Sequence, residues 1–478
     1  MENYPGYQSS LIMCMRLVPF IFIFLLYAPA LLGQQVANTA TLDSVRAYLE
    51  RNYAGFADKV NAQTQNAYLA HAKQSAEYAQ QAASPAEQYF AINHYLTFFK
   101  DQHLYINPPP DTTHIENIQL DDKRIQQLRH STRNNIEGIY YTGDSVYKVA
   151  LVKSKKGLRS YAGIILTSQA AGWKKGQVKF ELIETGTNQF MGIWYNRAHN
   201  LLFSSVRFNP RNGLGDQGWY KQGSSPEVEE ASFQLFAEES KLNTFFKFLN
   251  DSTCYIRIKT FNATNAKNID SVINTNKAYL QAKRRLIIDL RGNGGGSDRS
   301  MSFLKPILYT NPVKNIGVDI LTTPENTAAW DTLLDQYRND LPKDYLDNIS
   351  KRIHQYDGLG STMVNFAADE TDTLPEVWPN PARVAIVING GCGSSTEEFL
   401  LFARQSKKTI MAGAHSLGVL DYSNVVPRRF SNPSFVLHYP TTRSRRIDVG
   451  LAIDNKGIQP DIPLNLDGNW LNELMKKW

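Results

Sequence analysis

A chain of 478 residues, 42% of them apolar, exceeds what one ordinary core accommodates, so two or three domains are expected and burial does not limit stability. Lys and Arg number 51 against 45 Asp and Glu, and this small basic excess is spread along the chain, which argues against nucleic acid as a partner. The one local cluster, Arg443, Arg445 and Arg446, reads as solvated surface.

The N-terminus reads as an export signal, residues 1–33: Arg16 precedes an apolar run from Leu17 to Leu32, and cleavage is expected near Gly33. The run is short for a membrane span and lacks a basic stop, so no stable span is expected once it is cleaved. An uncleaved anchor is the alternative. Export would place the mature chain in a bacterial periplasm, outside the cell or at the outer membrane. Cys14 precedes the run and is not placed for lipid attachment after it, while Cys254 and Cys392 stay in the mature chain, paired or free.

Residues 34–130 read as a helical region. Leu42, Val45, Tyr48 and Leu49 share one face, the pattern resumes through Ala67 to Tyr78, and Pro85 opens a helix whose stripe is Tyr89, Ile92, Leu96 and Phe99. That helix is expected to end at His103, where a lone histidine is more often a surface or capping residue than a base. Tyr105 to Pro110 is extended and proline-locked. From 131 to 225 the texture becomes alternating and aromatic, as in IYYTGDSVYKVALVK and YAGIILTS, which predicts an antiparallel β module. It lacks the glycine-rich loop of a PDZ domain, and peptide binding and a spacer or cover are both open roles for it.

Residues 226–478 alternate strands and helices, with apolar runs rather than strict alternation in the strands, which predicts a mostly parallel or mixed sheet. A polar helical insertion near 324–356 is expected to lie over the cleft as a lid. Two stretches stand out. In RVAIVINGGCGSSTEEFLLFARQ, from Arg383 to Gln405, a buried strand, a glycine turn and a helix put Ser394 at the helix entry. Taken alone, that serine is more often an N-cap than a nucleophile. RLIIDLRGNGGG, from Arg285 to Gly296, is a second buried strand ending in a glycine loop, and two parallel strands of one sheet would bring both loops to the same edge. The glycines do not fit a dinucleotide fingerprint or a P-loop, and suit close backbone approach with an amide aimed at an oxyanion. Cys392, a thiol near a helix N-terminus, is a rival nucleophile.

LIIDLRGNGGG and CGSSTEEF, with CYIRIKTF from Cys254 and DNKGIQPDIPL from Asp454, resemble in content and order the motifs of the C-terminal processing peptidases (tail-specific proteases) and their tricorn-type relatives. The resemblance implies an α/β (α+β) fold with a mixed-sheet serine peptidase core of the ClpP/crotonase-like type, a peptide or protein substrate and no cofactor. It makes Ser394 the nucleophile and draws the oxyanion hole from the amides of Ser395 and of Gly294 or Gly295. Processing peptidases place a lysine in a Gly-Lys-Gly setting where this chain has Val419. The tricorn-type branch instead implies His103 as general base, with Gln102 where a serine is common and Asp454 where a glutamate is usual. Asp454 is one methylene shorter. His94, His415 and His438 are competing bases.

Two functions follow: an exported serine endopeptidase or carboxy-terminal processing peptidase, and a catalytically weak or inactive peptide- or ligand-binding protein on the same fold. An esterase would need a G-x-S-x-G elbow that is missing, and no cluster of histidine and carboxylate has metal-ligand spacing. The oligomeric state is left open.

Overall fold

A computed structural model of the chain describes residues 39–110, 115–223, 241–339, 341–431, 434–466 and 469–478. The expected export signal, with Arg16 and Gly33, lies outside them, as do residues 224–240. Among the described residues no helix is long and apolar enough to cross a membrane.

Helices α1 (residues 39–52), α2 (Phe56–Lys59), α3 (Gln65–Gln81) and α4 (Pro85–Thr97) open the fold. Ser84 accepts from the Glu87 amide and Pro85 sets the first turn of α4, a start in which both side chain and ring suit the helix N-terminus. Its stripe is buried as expected, with Tyr89, Ile92, Leu96 and Phe99 each no more than 5% exposed. The helix stops at Thr97 rather than at His103, because the chain turns through Phe98 and Phe99 and Lys100 then takes φ +48°. Strand β1 (Tyr105–Asn107) follows.

Helix α5 (Asp122–Arg129) leads into an eight-stranded antiparallel sheet. Its strands are β2 (Gly138–Thr142), β3 (Tyr147–Lys156), β4 (Arg159–Ser168), β5 (Val178–Gly186), β6 (Gln189–Tyr195), β7 (Leu201–Arg207), β8 (Gly213–Leu214) and β9 (Trp219–Lys221). One face carries Val149, Leu151, Phe180 and Leu182 into a core shared with α1, α3 and α4, and α5 covers the other face with Leu128.

A six-stranded sheet runs in the order β10 (Thr244–Asn250), β11 (Thr253–Ile258), β12 (Arg285–Asp289), β17 (Arg383–Ile388), β18 (Thr409–Gly413), β21 (Ile462–Pro463), antiparallel only at β10–β11. The apolar runs read as doubly covered strands have both faces filled. Leu286, Ile288, Val384 and Ile386 pack under α6 (Ala266–Thr275), α7 (Lys277–Ala282), α8 (Asp298–Ser302), α9 (Lys305–Leu308) and α12 (Ser395–Arg404), and Ile287, Ala385 and Val387 pack on α13 (Trp470–Lys477).

A further sheet is built on β20 (Ser434–Ser444), which pairs with β19 (Tyr422–Ser431) along its length, with β1 at Val436 to His438 and with β14 (Val318–Thr322) at Thr442 to Ser444. Strands β13 (Val313–Asn315) and β16 (Glu370–Asp372) pair separately, while β15 (Thr362–Ala367) pairs with β14. The insertion contains α10 (Pro324–Gln336) and α11 (Lys343–His354). Asn326 and Trp330 of α10 bond Tyr439 and Thr441 of β20, so α10 packs on this sheet. The basic trio is not solvated surface. Arg443 pairs with Asp58 and Asp448, Arg445 with Asp319 and Asp369, and Arg446, 7% exposed at its side chain, with Glu398. Five carboxylates, from as many segments, satisfy what the linear sequence presented as free charge.

Candidate active site

Asp289 of β12 lies opposite Val387 of β17 in parallel register, so the loops Arg291–Gly296 and Asn389–Ser394 leave the same end of the sheet. Backbone and amide bonds then lock them together: Gly393 N–H donates to the Asn293 carbonyl (3.2 Å) and Gly292 N–H to Asn389 Oδ1 (2.8 Å). Buried Asn293 also anchors to the Ile258 carbonyl through Nδ2. Gly295 must be glycine. It holds φ +100°, and a Cβ there would lie 2.6 Å from the Gly393 carbonyl and 2.8 Å from Ser394 Cβ. Below the loop, burial alone would raise the Asp289 carboxyl, but Arg257 and Arg291 outweigh it and hold it below the usual range.

Ser394 enters α12 at φ +56° and ψ −127°, and its side chain makes no capping bond. Its Oγ instead lies 3.1 Å from His103 Nε2, across 291 residues of sequence. The other ring nitrogen, Nδ1, is 2.7 Å from the Tyr422 carbonyl. A carbonyl only accepts, so Nδ1 carries the hydrogen in the neutral ring and the Nε2 lone pair faces the serine hydroxyl. That is the tautomer able to take a proton from Ser394.

Residues 252–464 match the sequence model of peptidase family S41. That matched span contains both glycine loops, Ser394 and Asp454, and supports a serine-type peptidase. By overall structure it is similar to mature CPAF, with a TM-score of 0.51 at 12% identity over 93% of this chain and 96% of that one. It also aligns with the photosystem II D1 C-terminal processing protease (TM-score 0.35, 13% identity, 91% and 93% covered) and with the tricorn protease (TM-score 0.37, 13% identity, 93% of this chain and 36% of that one). At such identity the first likeness concerns the fold, and the other two add no argument. A comparison with curated proteins by sequence finds no match.

Within the matched span, Val419 is buried with its side chain against Gly393, so the position at which processing peptidases carry lysine presents an apolar wall. The competing histidines bond elsewhere. His94 Nδ1 meets Ser75 Oγ, and burial with the neighbouring His71 pulls it down to about 4. His415 bonds the Ser416 carbonyl, and His438 stacks on Tyr105. Cys392 is fully buried, donates to the Leu290 carbonyl and is pushed up to about 11 by burial, which leaves a thiol rather than a nucleophilic thiolate. Cys254 and Cys392 are both free.

The remaining predicted residues are distributed unevenly around the pair. Asp454 Oδ1 accepts the amides of Leu420 (2.9 Å) and Asp421 (2.8 Å), and His103 Nδ1 donates to the Tyr422 carbonyl instead. Gln102 is exposed. The Gly295 amide is committed to Asn293 Oδ1 (3.0 Å), whereas those of Gly294 and Ser395 have no bond among the described residues. Sequence reasoning missed Tyr422, Asn293 and Asp101. A backbone carbonyl leaves no trace in residue identity, but the asparagine stood inside the quoted RGNGGG loop and Asp101 two positions before His103. No group of His, Cys, Asp and Glu among the described residues is placed to hold a metal ion.

Proposed function

We propose that this chain is an exported serine endopeptidase or carboxy-terminal processing peptidase in which Ser394 is the nucleophile and His103 the general base. The observation that carries the reading is the 3.1 Å approach of His103 Nε2 to a serine hydroxyl held off its capping position. His103 takes the hydroxyl proton as Oγ attacks the peptide carbonyl carbon. The oxyanion that forms is held by the Ser395 and Gly294 amides, and imidazolium then returns the proton to the leaving amine. Water attacks the acyl-serine by the same base and frees the acid. The Tyr422 carbonyl keeps the ring in the productive tautomer throughout, and Asp454 acts on His103 through the Leu420–Tyr422 segment that it binds.

A fluorophosphonate probe tests this. Wild type should be labelled, Ser394→Ala should not, and His103→Ala should be labelled roughly a hundredfold more slowly or worse. No labelling of wild type removes the catalytic reading and leaves peptide or ligand binding in the same cleft. Export rests on Arg16 and the apolar run to Leu32, and N-terminal sequencing of the mature protein checks it, with a start near Gln34 expected.

A further inference from the structure

Proton transfer from Ser394 leaves a positive imidazolium, and the Tyr422 carbonyl opposes it only with a dipole. Asp454 has its Oδ1 on two amides. One further carboxylate is bonded to the backbone of His103 itself. Asp101, two positions upstream and 6% exposed, accepts the His103 amide on Oδ1 (2.9 Å) and the Tyr53 hydroxyl on Oδ2 (2.7 Å). We propose that Asp101 is a positioning residue for this site: its buried carboxylate fixes the turn that presents His103 and stabilises the imidazolium formed when Ser394 gives up its proton. The proposal rests on the reading of Ser394 and His103 as nucleophile and base.

Both halves have a structural basis. The turn is pinned on each side of Asp101, by Asn455 Nδ2 donating to the Lys100 carbonyl (2.9 Å) and by Leu104 N–H donating to the Asp101 carbonyl (3.1 Å). Tyr53, itself 1% exposed, is wedged between Phe99 (5.4 Å between ring centres) and Tyr422 (5.9 Å), so the carboxylate cannot swing to water. Burial pushes the Asp101 carboxyl above its usual range, and the charge of His103 is the influence that most opposes this. Such coupling is reciprocal: whatever the imidazolium gives to the carboxylate, the carboxylate gives back. The other charged or titratable groups acting on Asp101 are Lys59 and, with opposite sign, Asp454, along with the Tyr53 phenol.

The test follows the rate of fluorophosphonate labelling of Ser394 across pH, which needs no known substrate. Asp101→Asn keeps the shape and one acceptor but removes the charge. It should label roughly ten- to a hundredfold more slowly at the plateau, with the acid limb displaced to lower pH, because the imidazolium loses its counter-charge. Asp101→Glu retains the charge and should restore the limb. Asn455→Ala loosens the turn without touching charge, and should slow labelling with the limb in place. A limb unmoved in Asp101→Asn overturns the proposal, whether or not the melting temperature falls. Should that variant not fold, a limb displaced in Asp101→Glu despite the retained charge overturns it equally. Wild type that resists labelling sinks the underlying reading as well, so the two failures are distinct.

Discussion

Ser394 holds a backbone conformation that residues with a Cβ avoid, φ +56° with ψ −127°, and such a position persists only where its surroundings over-determine it. Here they do so through three contacts: Gly393 on the Asn293 carbonyl, Ser395 Oγ on the Gly296 carbonyl (3.1 Å) and the close face of Gly295. The strain turns the hydroxyl from the helix amides, which an N-cap serine would bond, toward His103. Gly295→Ala is therefore expected to reduce fluorophosphonate labelling by roughly a hundredfold or more, since the added carbon must displace Gly393 or Ser394 and with them the amides proposed to hold the oxyanion. Circular dichroism should show the fold retained. Ser394 was legible as a candidate in CGSSTEEF, but whether its hydroxyl caps the helix or turns to His103 was not. That choice lies in a torsion angle, and no residue spacing encodes one.

Between elements, the segment that holds His103 is itself held by a reciprocal clasp. Asp454 Oδ1 accepts the amides of Leu420 and Asp421, and Asp421 Oδ2 accepts those of Ile453 and Asp454, each at 2.8–2.9 Å. Burial, with the facing charges of Asp421 and Asp101, pushes the Asp454 carboxyl up to about 7. A carboxyl raised in the folded state binds its proton more tightly there than in the unfolded chain. Its contribution to stability is thus fully present below the unfolded value near 4 and is lost as pH rises toward 7. Asp454→Asn keeps an acceptor for both amides and removes the titration. Between pH 5 and pH 8 wild type should lose on the order of 1 kcal/mol more stability than the variant, after allowance for solvent screening. Urea denaturation at the two values measures it, and equal losses would refute the assignment. The sequence brought Asp454 to notice by its place in DNKGIQPDIPL; its work on backbone amides is a tertiary fact.

At the scale of the molecule, α4 links the β module to the candidate active site. Its first turn carries Glu87, 2% exposed, which accepts the amides of Ala83 (2.6 Å), Leu158 (2.9 Å) and Arg159 (3.2 Å) at the β3–β4 turn, and the chain beyond its last turn delivers His103. Burial raises the Glu87 carboxyl, against these amides and Arg159. Removing it as Glu87→Ala strands three donors, at an expected loss of about 3 kcal/mol. Glu87→Gln, which keeps an acceptor, should lose less. Thermal melting gives the ranking, and hydrogen exchange should quicken at Leu158 and Arg159 in the alanine variant.

By itself the sequence determined the doubly covered strands, the glycine loops, the helices of the N-terminal region and the antiparallel module, because apolar runs, periodicity and turn residues are local quantities. It also marked Ser394 and His103 as candidates. Only the tertiary structure decided that they meet, that the Tyr422 carbonyl and not a side chain fixes the imidazole, and that the basic trio is spent on ion pairs. Each of those depends on partners from distant segments, and on backbone atoms that every residue type shares.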